Sequence, residues 1–173
     1  MYCRGLALFF LAFYCCLQQA AAAPKAYQEY DTTAQELKDI QRVVDETLPD
    51  IEALLKKNGT FKPFAVVILA NDSLAEIAVN DTAKTGYTED DLKEELSIGA
   101  LKGLYKVVAI FYASQVTDPA TGKPSKAVAL FAEHTNDDFA YLFYYPYKIS
   151  PRKEVIFGGS FGDFAPQVMF KPD

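Results

Sequence analysis

Residues 126–147 have the sequence KAVALFAEHTNDDFAYLFYYPY, and this stretch decides the fold. Two apolar runs, Lys126–His134 and Phe139–Tyr147, flank Asn136-Asp137, a pair of strong turn formers. Strands joined this tightly must pair antiparallel. A two-residue turn at Asn136-Asp137 would pair Thr135 with Asp138. The stretch therefore predicts an antiparallel hairpin with a defined register.

The second strand of this hairpin carries a wholly aromatic face. Because side chains alternate between the two faces of a strand, the aromatic side chains at odd positions share one face. The predicted register adds Leu130 from the first strand, and together these residues form our candidate binding surface: Leu130, Phe139, Tyr141, Phe143, Tyr145 and Tyr147. The opposite face, with Ala129, Phe131 and Leu142, is apolar too, so the pattern leaves open which face is the core.

Upstream of the hairpin, the pattern predicts two helices and two strands. Apolar residues at three- and four-residue steps predict a first helix that starts with a capping box at Thr33–Glu36 and ends at Asn58-Gly59. Pro49 should kink this helix or begin a second segment. Residues 64–70 and 74–79 are strand-like, and Thr88 with the acidic residues after it predicts the start of a second helix.

Downstream of residue 104 the pattern is typical of strands. We predict strands at 105–116, 126–134, 139–147 and 154–161, with a further short one at 167–170. Gly158, Gly159 and Gly162 indicate a bulge or bend near the end of the chain. The order α-β-β-α-β-β-β-β predicts an α+β fold, a single antiparallel sheet of about five to six strands with two helices on one face.

The N-terminal residues have the pattern of a secretion signal. An apolar block from Leu6 to Leu17 follows Arg4, and small residues from Ala20 to Ala23 precede Pro24. We expect residues 1–22 to be a signal peptide and residues 23–173 to be one exported domain. The apolar block is shorter than the roughly 20 residues that span a bilayer, so we expect no permanent membrane anchor.

Charge and cysteine content exclude several classes of function. Cys3, Cys15 and Cys16 all lie in the predicted signal, so the mature domain has no thiol for catalysis, disulfides or metal binding. The signal contains one of the 17 basic residues and no acidic residue, which leaves 16 basic against 23 acidic residues. This balance disfavours nucleic acid as a partner, and we expect no cofactor.

Compartment is less clearly indicated. Small exported eukaryotic domains usually carry disulfides, so their lack favours a bacterial periplasm over eukaryotic secretion. Three Asn-X-Ser/Thr triplets, at Asn58, Asn71 and Asn80, are also present, but each falls at a predicted turn, and turn-forming propensity explains them without a glycan.

Catalytic residues are few. His134 is the only histidine, and it lies at a predicted strand end beside a turn. Its replacement by alanine should therefore lower the free energy of unfolding by less than about 1 kcal/mol. Paired carboxylates remain the one catalytic device that the composition allows, with four acidic residues on or near strands: Glu76, Glu133, Glu154 and Asp163. Nothing in their spacing selects a pair.

The sequence therefore predicts an exported, non-catalytic binding protein that contacts a protein partner or a second copy through an aromatic sheet face. Inhibition of another exported protein is one form that this role could take. A carboxylate-based hydrolase of the cell envelope and a carrier of a small apolar ligand are the alternatives.

Overall fold

The computed structural model describes residues 34–77 and 88–171. They form α1 (Gln35–Asn58), β1 (Phe64–Leu69), β2 (Leu74–Ile77), α2 (Glu89–Leu101), β3 (Tyr105–Asp118), β4 (Lys123–His134), β5 (Phe139–Ile149), β6 (Val155–Phe157) and β7 (Phe161–Pro166). The predicted signal peptide, its cysteines, Thr33 and Asn80 lie outside the described residues.

All seven strands belong to one antiparallel sheet. The strand order is β2-β1-β3-β4-β5-β6, and β7 also pairs with β5. The sheet is curled into a half-barrel. The predicted fold class, α+β with a single antiparallel sheet and two helices, is confirmed.

The predicted register of the central hairpin is confirmed. Leu130 pairs with Phe143 and Ala132 with Tyr141, as a two-residue turn after Thr135 requires. The amide of Asp137 donates to the carbonyl of His134 across this turn at 3.0 Å. Turn chemistry and alternation therefore fix the pairing of β4 with β5.

The predicted strand at 154–161 forms only β6, and β7 begins at Phe161, where the prediction ends; both strands pair with the same edge of β5. Tyr147 pairs with Phe157 in β6, and Tyr144 pairs with Phe161 in β7. Between these pairs β5 advances three residues, whereas the segment from β6 to β7 advances four. Residues 158–160 therefore contain one extra residue. The bulge predicted from the glycines is confirmed. Residues 167–170 form no strand but a bent segment.

The first helix runs through Pro49 without a break. It ends at Gly59, whose φ of 75° is left-handed and whose amide donates to the carbonyl of Leu55. The prediction of a second segment at Pro49 is therefore wrong. Proline leaves the carbonyl of Asp45 without an intrahelical donor, but Asp45 and Pro49 both lie on the exposed side, where water can hydrate that carbonyl.

The second helix begins as predicted. Thr88 caps it, with its hydroxyl accepting from the amide of Asp91 and the Asp91 carboxylate accepting from the amide of Thr88. Gly99 faces the sheet, where a Cβ would meet the far end of the Tyr105 ring. A larger residue here would require that ring to move aside.

The helices contact opposite faces of the sheet, which corrects the expectation of one shared face. Leu92 and Leu96 of α2 share a core cluster with Phe131 of β4, whereas Asp39 of α1 contacts His134 of the same strand. Phe131 and His134 are three positions apart in a regularly paired strand and so point to opposite faces. Both faces of β4 are buried from Ala127 to His134, which is why the pattern could not place the helices.

Candidate functional site

The candidate surface predicted from the sequence lies on the face of the sheet that α1 contacts. Three of its residues are buried within the chain: Leu130, Tyr141 and Tyr147. The other three are half-buried: Phe139, Phe143 and Tyr145. A fully buried side chain such as Leu130 offers no area to a partner, so the structure limits any contact role on this face to the half-buried rings.

Aromatic rings near the start of β5 pack on one another. Phe139 meets Phe164 edge-on with centroids 4.4 Å apart, and Tyr141 stacks on Phe143 at 6.0 Å. The Tyr141 hydroxyl donates to Asp137 at 2.5 Å. Phe164 comes from β7, so this cluster ties the edge of the sheet to its central hairpin.

His134 occupies a buried polar site between α1 and the sheet. Its Nδ1 accepts the amide proton of Asn136 at 3.0 Å, and its Nε2 lies 3.3 Å from Oδ2 of Asp39. With Nδ1 accepting, Nε2 carries the proton that is donated to Asp39. Both ring nitrogens are therefore used inside the protein, which leaves neither free to move a substrate proton.

Asp39 is the centre of this site. Its carboxylate also accepts from Lys106 at 2.8 Å and from Gln35 at 2.9 Å. Burial raises the pKa of Asp39, but the hydrogen bonds from Lys106, Gln35 and His134 outweigh burial and hold the pKa below its ordinary value. The hydrogen bond to Asp39 raises the pKa of Lys106. The site is a structural ion pair that joins α1 to β3 and β4.

Glu133 is fully buried and binds the segment that follows β7. Its two carboxylate oxygens accept the amide protons of Val168, Met169 and Phe170 at 2.6 to 3.3 Å. The Gln167 side chain donates to the carbonyl of His134 at 2.9 Å. We call this arrangement the Glu133 clamp. Three successive amides around one carboxylate replace the water that it loses on burial. No local sequence pattern predicts the Glu133 clamp.

The structure does not gather the other acidic candidates around Glu133. Glu76 lies on β2 at the far end of the strand order, and Glu154 lies in the exposed turn between β5 and β6. Asp163 shares the α2 face with Glu133 but lies in a different cross-strand row, opposite Leu142. Within the described ranges, no group of three or more His, Cys, Asp or Glu side chains could hold a metal ion.

A second set of aromatic side chains lies on the α2 face, and sequence reasoning did not select it. Tyr112, Ala129 and Tyr144 are direct partners across β3, β4 and β5, and Phe161 of β7 pairs with Tyr144. The rings of Tyr144 and Phe161 stack with centroids 5.3 Å apart. We call Tyr112, Tyr144 and Phe161 the outer aromatic row. All three rings are half-buried.

The outer aromatic row begins where the cover provided by α2 ends. Among the strands, α2 contacts β3 most and β1 next, and its contacts with β5, β6 and β7 are few or none. Burial raises the pKa of Tyr112 to about 12, helped by Tyr144 and by the acidic residues Glu89 and Asp90 of the first turn of α2. The row therefore extends from the N-terminal end of α2, where Tyr112 packs against the core cluster, towards strands that this helix contacts little or not at all.

An exposed aliphatic side chain lies on the same face, further along β5. Ile156 of β6 pairs with Lys148, which shares a face with Tyr144, and it is 58% exposed. Beside it lies an open pocket of about 150 Å³ whose lining includes Pro146, Lys148 and Phe157. A second open pocket, of about 250 Å³, lies between Gly59 and the β3–β4 strands. Both are open to solvent and have mixed polarity.

No helix in the described ranges is both long and apolar enough to cross a membrane. Comparison with known protein families, curated proteins and solved structures gives no match.

Proposed function

We propose that this chain is an exported, non-catalytic binding protein and that its protein partner contacts the outer aromatic row together with Ile156. The observation that carries the proposal is the placement of these four side chains. Tyr144, Phe161 and Ile156 lie on one face of strands that α2 contacts little or not at all, and Tyr112 adjoins them at the edge of the core cluster under α2. Ile156, which lies further along this face from Tyr144, is more than half exposed.

The chemistry of this surface suits protein recognition. Tyrosine and phenylalanine offer large, stiff contact areas that lose little conformational entropy on binding, and tyrosine keeps a hydroxyl for water or a partner. Such rings on one face with an isoleucine resemble the apolar centre of a protein interface, with the exposed Lys148 at its edge as part of a polar rim.

The buried polar groups favour binding over catalysis. His134 and Glu133 were the residues best suited to acid–base chemistry, and the hydrogen bonds of both are used inside the protein. The two open pockets likewise differ from the closed apolar cavity that a carrier of small apolar ligands would need.

Site-specific photo-crosslinking tests the proposal. A photoreactive amino acid is placed at Ile156 in the chain without residues 1–22, and the protein is incubated with extracellular or envelope extract from its source. We expect one discrete adduct, and Tyr144→Ala should reduce it by at least about tenfold because a central aromatic anchor contributes about 2 kcal/mol.

The matched control carries the same probe at Lys57, an exposed residue at the end of α1. An adduct of equal yield at Lys57, or an Ile156 adduct that persists in folded Tyr144→Ala, would overturn the proposed surface. An adduct consisting of two copies of this chain would assign the surface to self-association. Thermal unfolding of Tyr144→Ala establishes that the variant is folded.

A further inference from the structure

We infer that Asn58 and Asn71 are acceptor sites for N-linked oligosaccharides. The inference rests on the export part of the proposed function, and it assigns the chain to a eukaryotic secretory route rather than to a periplasm. Both asparagines stand in Asn-X-Ser/Thr triplets, the motif required for this modification.

The third residue of each triplet distinguishes a glycosylation site from a sequence that only forms a turn. The chain has four asparagines, and three of them have serine or threonine two positions later, although serine and threonine together are only 16 of 173 residues. Asn136 lies in an equally tight turn, between β4 and β5, and is followed by Asp137-Asp138. A turn therefore requires no hydroxyl residue at that position in this protein.

The turn at Asn71 presents its acceptor to solvent. Asn71 and Ser73 are both exposed. The middle residue, Asp72, adopts the left-handed conformation of the turn, with a φ of 67°. Its carboxylate contacts Arg42 of α1 at 3.5 Å and Lys106 of β3 at 3.2 Å. Asn71 is therefore not needed to hold the hairpin against the helix.

The side chain of Asn71 is also oriented within its turn. Its Oδ1 accepts from the amide of Ser73 at 3.1 Å and from the Ser73 hydroxyl at 2.6 Å. The turn therefore binds the amide oxygen, and the reactive nitrogen Nδ2 lies on the other arm of the amide. The hydroxyl residue of the triplet contacts the acceptor side chain directly.

Asn58 is the last residue of α1 and is equally accessible. Asn58 and Thr60 are exposed, and Gly59 between them turns the chain away from the helix. The buried residue of this helix end is Leu55, one turn earlier. A glycan on Asn58 would therefore extend into solvent without displacing a packed side chain.

The transfer uses a lipid-linked oligosaccharide pyrophosphate as donor. Nδ2 of the asparagine forms a bond to C1 of the first sugar, the bond between C1 and the pyrophosphate oxygen breaks, and the lipid pyrophosphate leaves with that electron pair. Nδ2 gives one proton to a base of the transferase. The hydroxyl residue of each triplet, Thr60 or Ser73, serves recognition and is not consumed.

The two acceptors flank α1, on the side of the sheet opposite the outer aromatic row. Asp72, next to Asn71, contacts Arg42, and Asn58 lies 16 residues further along the helix, about 24 Å at the rise of an α-helix. Glycans at both positions would cover the outer surface of α1 and leave the outer aromatic row free for a partner.

The test is secretion of the full chain from cultured insect cells, once with its own leader and once with a standard secretion signal in place of residues 1–22. We expect secreted protein whose electrophoretic mobility increases after peptide-N-glycosidase treatment. Asn58→Gln and Asn71→Gln should each remove one step of that shift, and Asn136→Gln, the matched control, should remove none.

The outcomes separate the two proposals. Secreted protein whose mass equals that of the bare polypeptide would overturn the glycan inference and leave export intact. Retention in the cell with the native leader but secretion with the standard signal would overturn export, and the glycan test is then decided on the second protein. Substitution of Ser73 by Ala should abolish the Asn71 step alone; if that step persisted, the modification would not be N-linked.

Discussion

At the scale of single residues, His134 shows how burial changes an expectation drawn from sequence. Its position at a strand end beside a turn was predicted correctly, yet the side chain is completely buried and hydrogen-bonded at both ring nitrogens. Its partner Asp39 lies on the first helix, 95 residues away. Nothing local in the sequence indicates a partner at that distance.

Replacing His134 by alanine should therefore cost about 2 to 4 kcal/mol in the free energy of unfolding rather than under 1. The variant leaves a cavity, and Asp39 loses a hydrogen bond in a buried site. Urea unfolding measures the change, with Thr135→Ala, the exposed neighbouring position, as the control. A loss below about 1 kcal/mol would mean that the buried site contributes little to stability.

At the scale of elements, the sequence predicted most where the determinants are local. The Asn136-Asp137 turn set the register of β4 against β5, and Thr88 with Asp91 set the start of α2. The face that each helix covers was not predictable, because β4 is apolar on both sides. For the same reason the sequence pattern favours the α1 face, where Leu130 is buried, and does not indicate the outer aromatic row.

The pairing of β7 with β5 requires a glycine at position 162. A Cβ there would lie 2.6 Å from the carbonyl oxygen of Leu142 and 2.7 Å from the Phe143 ring, and the backbone atom cannot move aside without breaking the pairing. Gly162→Ala should cost about 1 to 3 kcal/mol, measured by urea unfolding.

Gly159→Ala is the matched control for this prediction. It lies in the same bulge between β6 and β7, but a Cβ there meets no atom within 4 Å. We expect a change within about 0.5 kcal/mol. Equal losses for the two variants would show that flexibility of the bulge, and not the close approach of β7 to β5, requires the glycines.

At the scale of the whole molecule, two tyrosines with raised pKa values make the protein less stable at alkaline pH. Burial raises the pKa of Tyr112 and of Tyr145 to about 12, with contributions from nearby residues that include Tyr144 and Asp45, respectively. In the unfolded chain both ionise near the ordinary value of 10.0. Between these values the unfolded state binds fewer protons than the folded state, so the free energy of unfolding falls as pH rises.

We expect this alkaline loss to be reduced in the double variant Tyr112→Phe with Tyr145→Phe. Tyr145 contributes at most about 2 to 3 kcal/mol, the equivalent of a two-unit pKa difference, and the more exposed Tyr112 contributes less because solvent screens it. Urea unfolding at about pH 9 and about pH 11 measures the slope for both proteins. Identical slopes would show that these two side chains do not carry the pH dependence.

The Glu133 clamp has a consequence for the order in which the chain can fold during its synthesis. The carboxylate sits in the middle of the sheet, but the amides that replace its water belong to Val168, Met169 and Phe170, about 35 residues later. While those residues are still inside the ribosome, closing the sheet would bury an unbalanced charge, which costs several kcal/mol. The sheet is thus disfavoured until its last part has been made. If the chain is exported as we propose, this delay keeps it in the extended state that a translocation channel accepts.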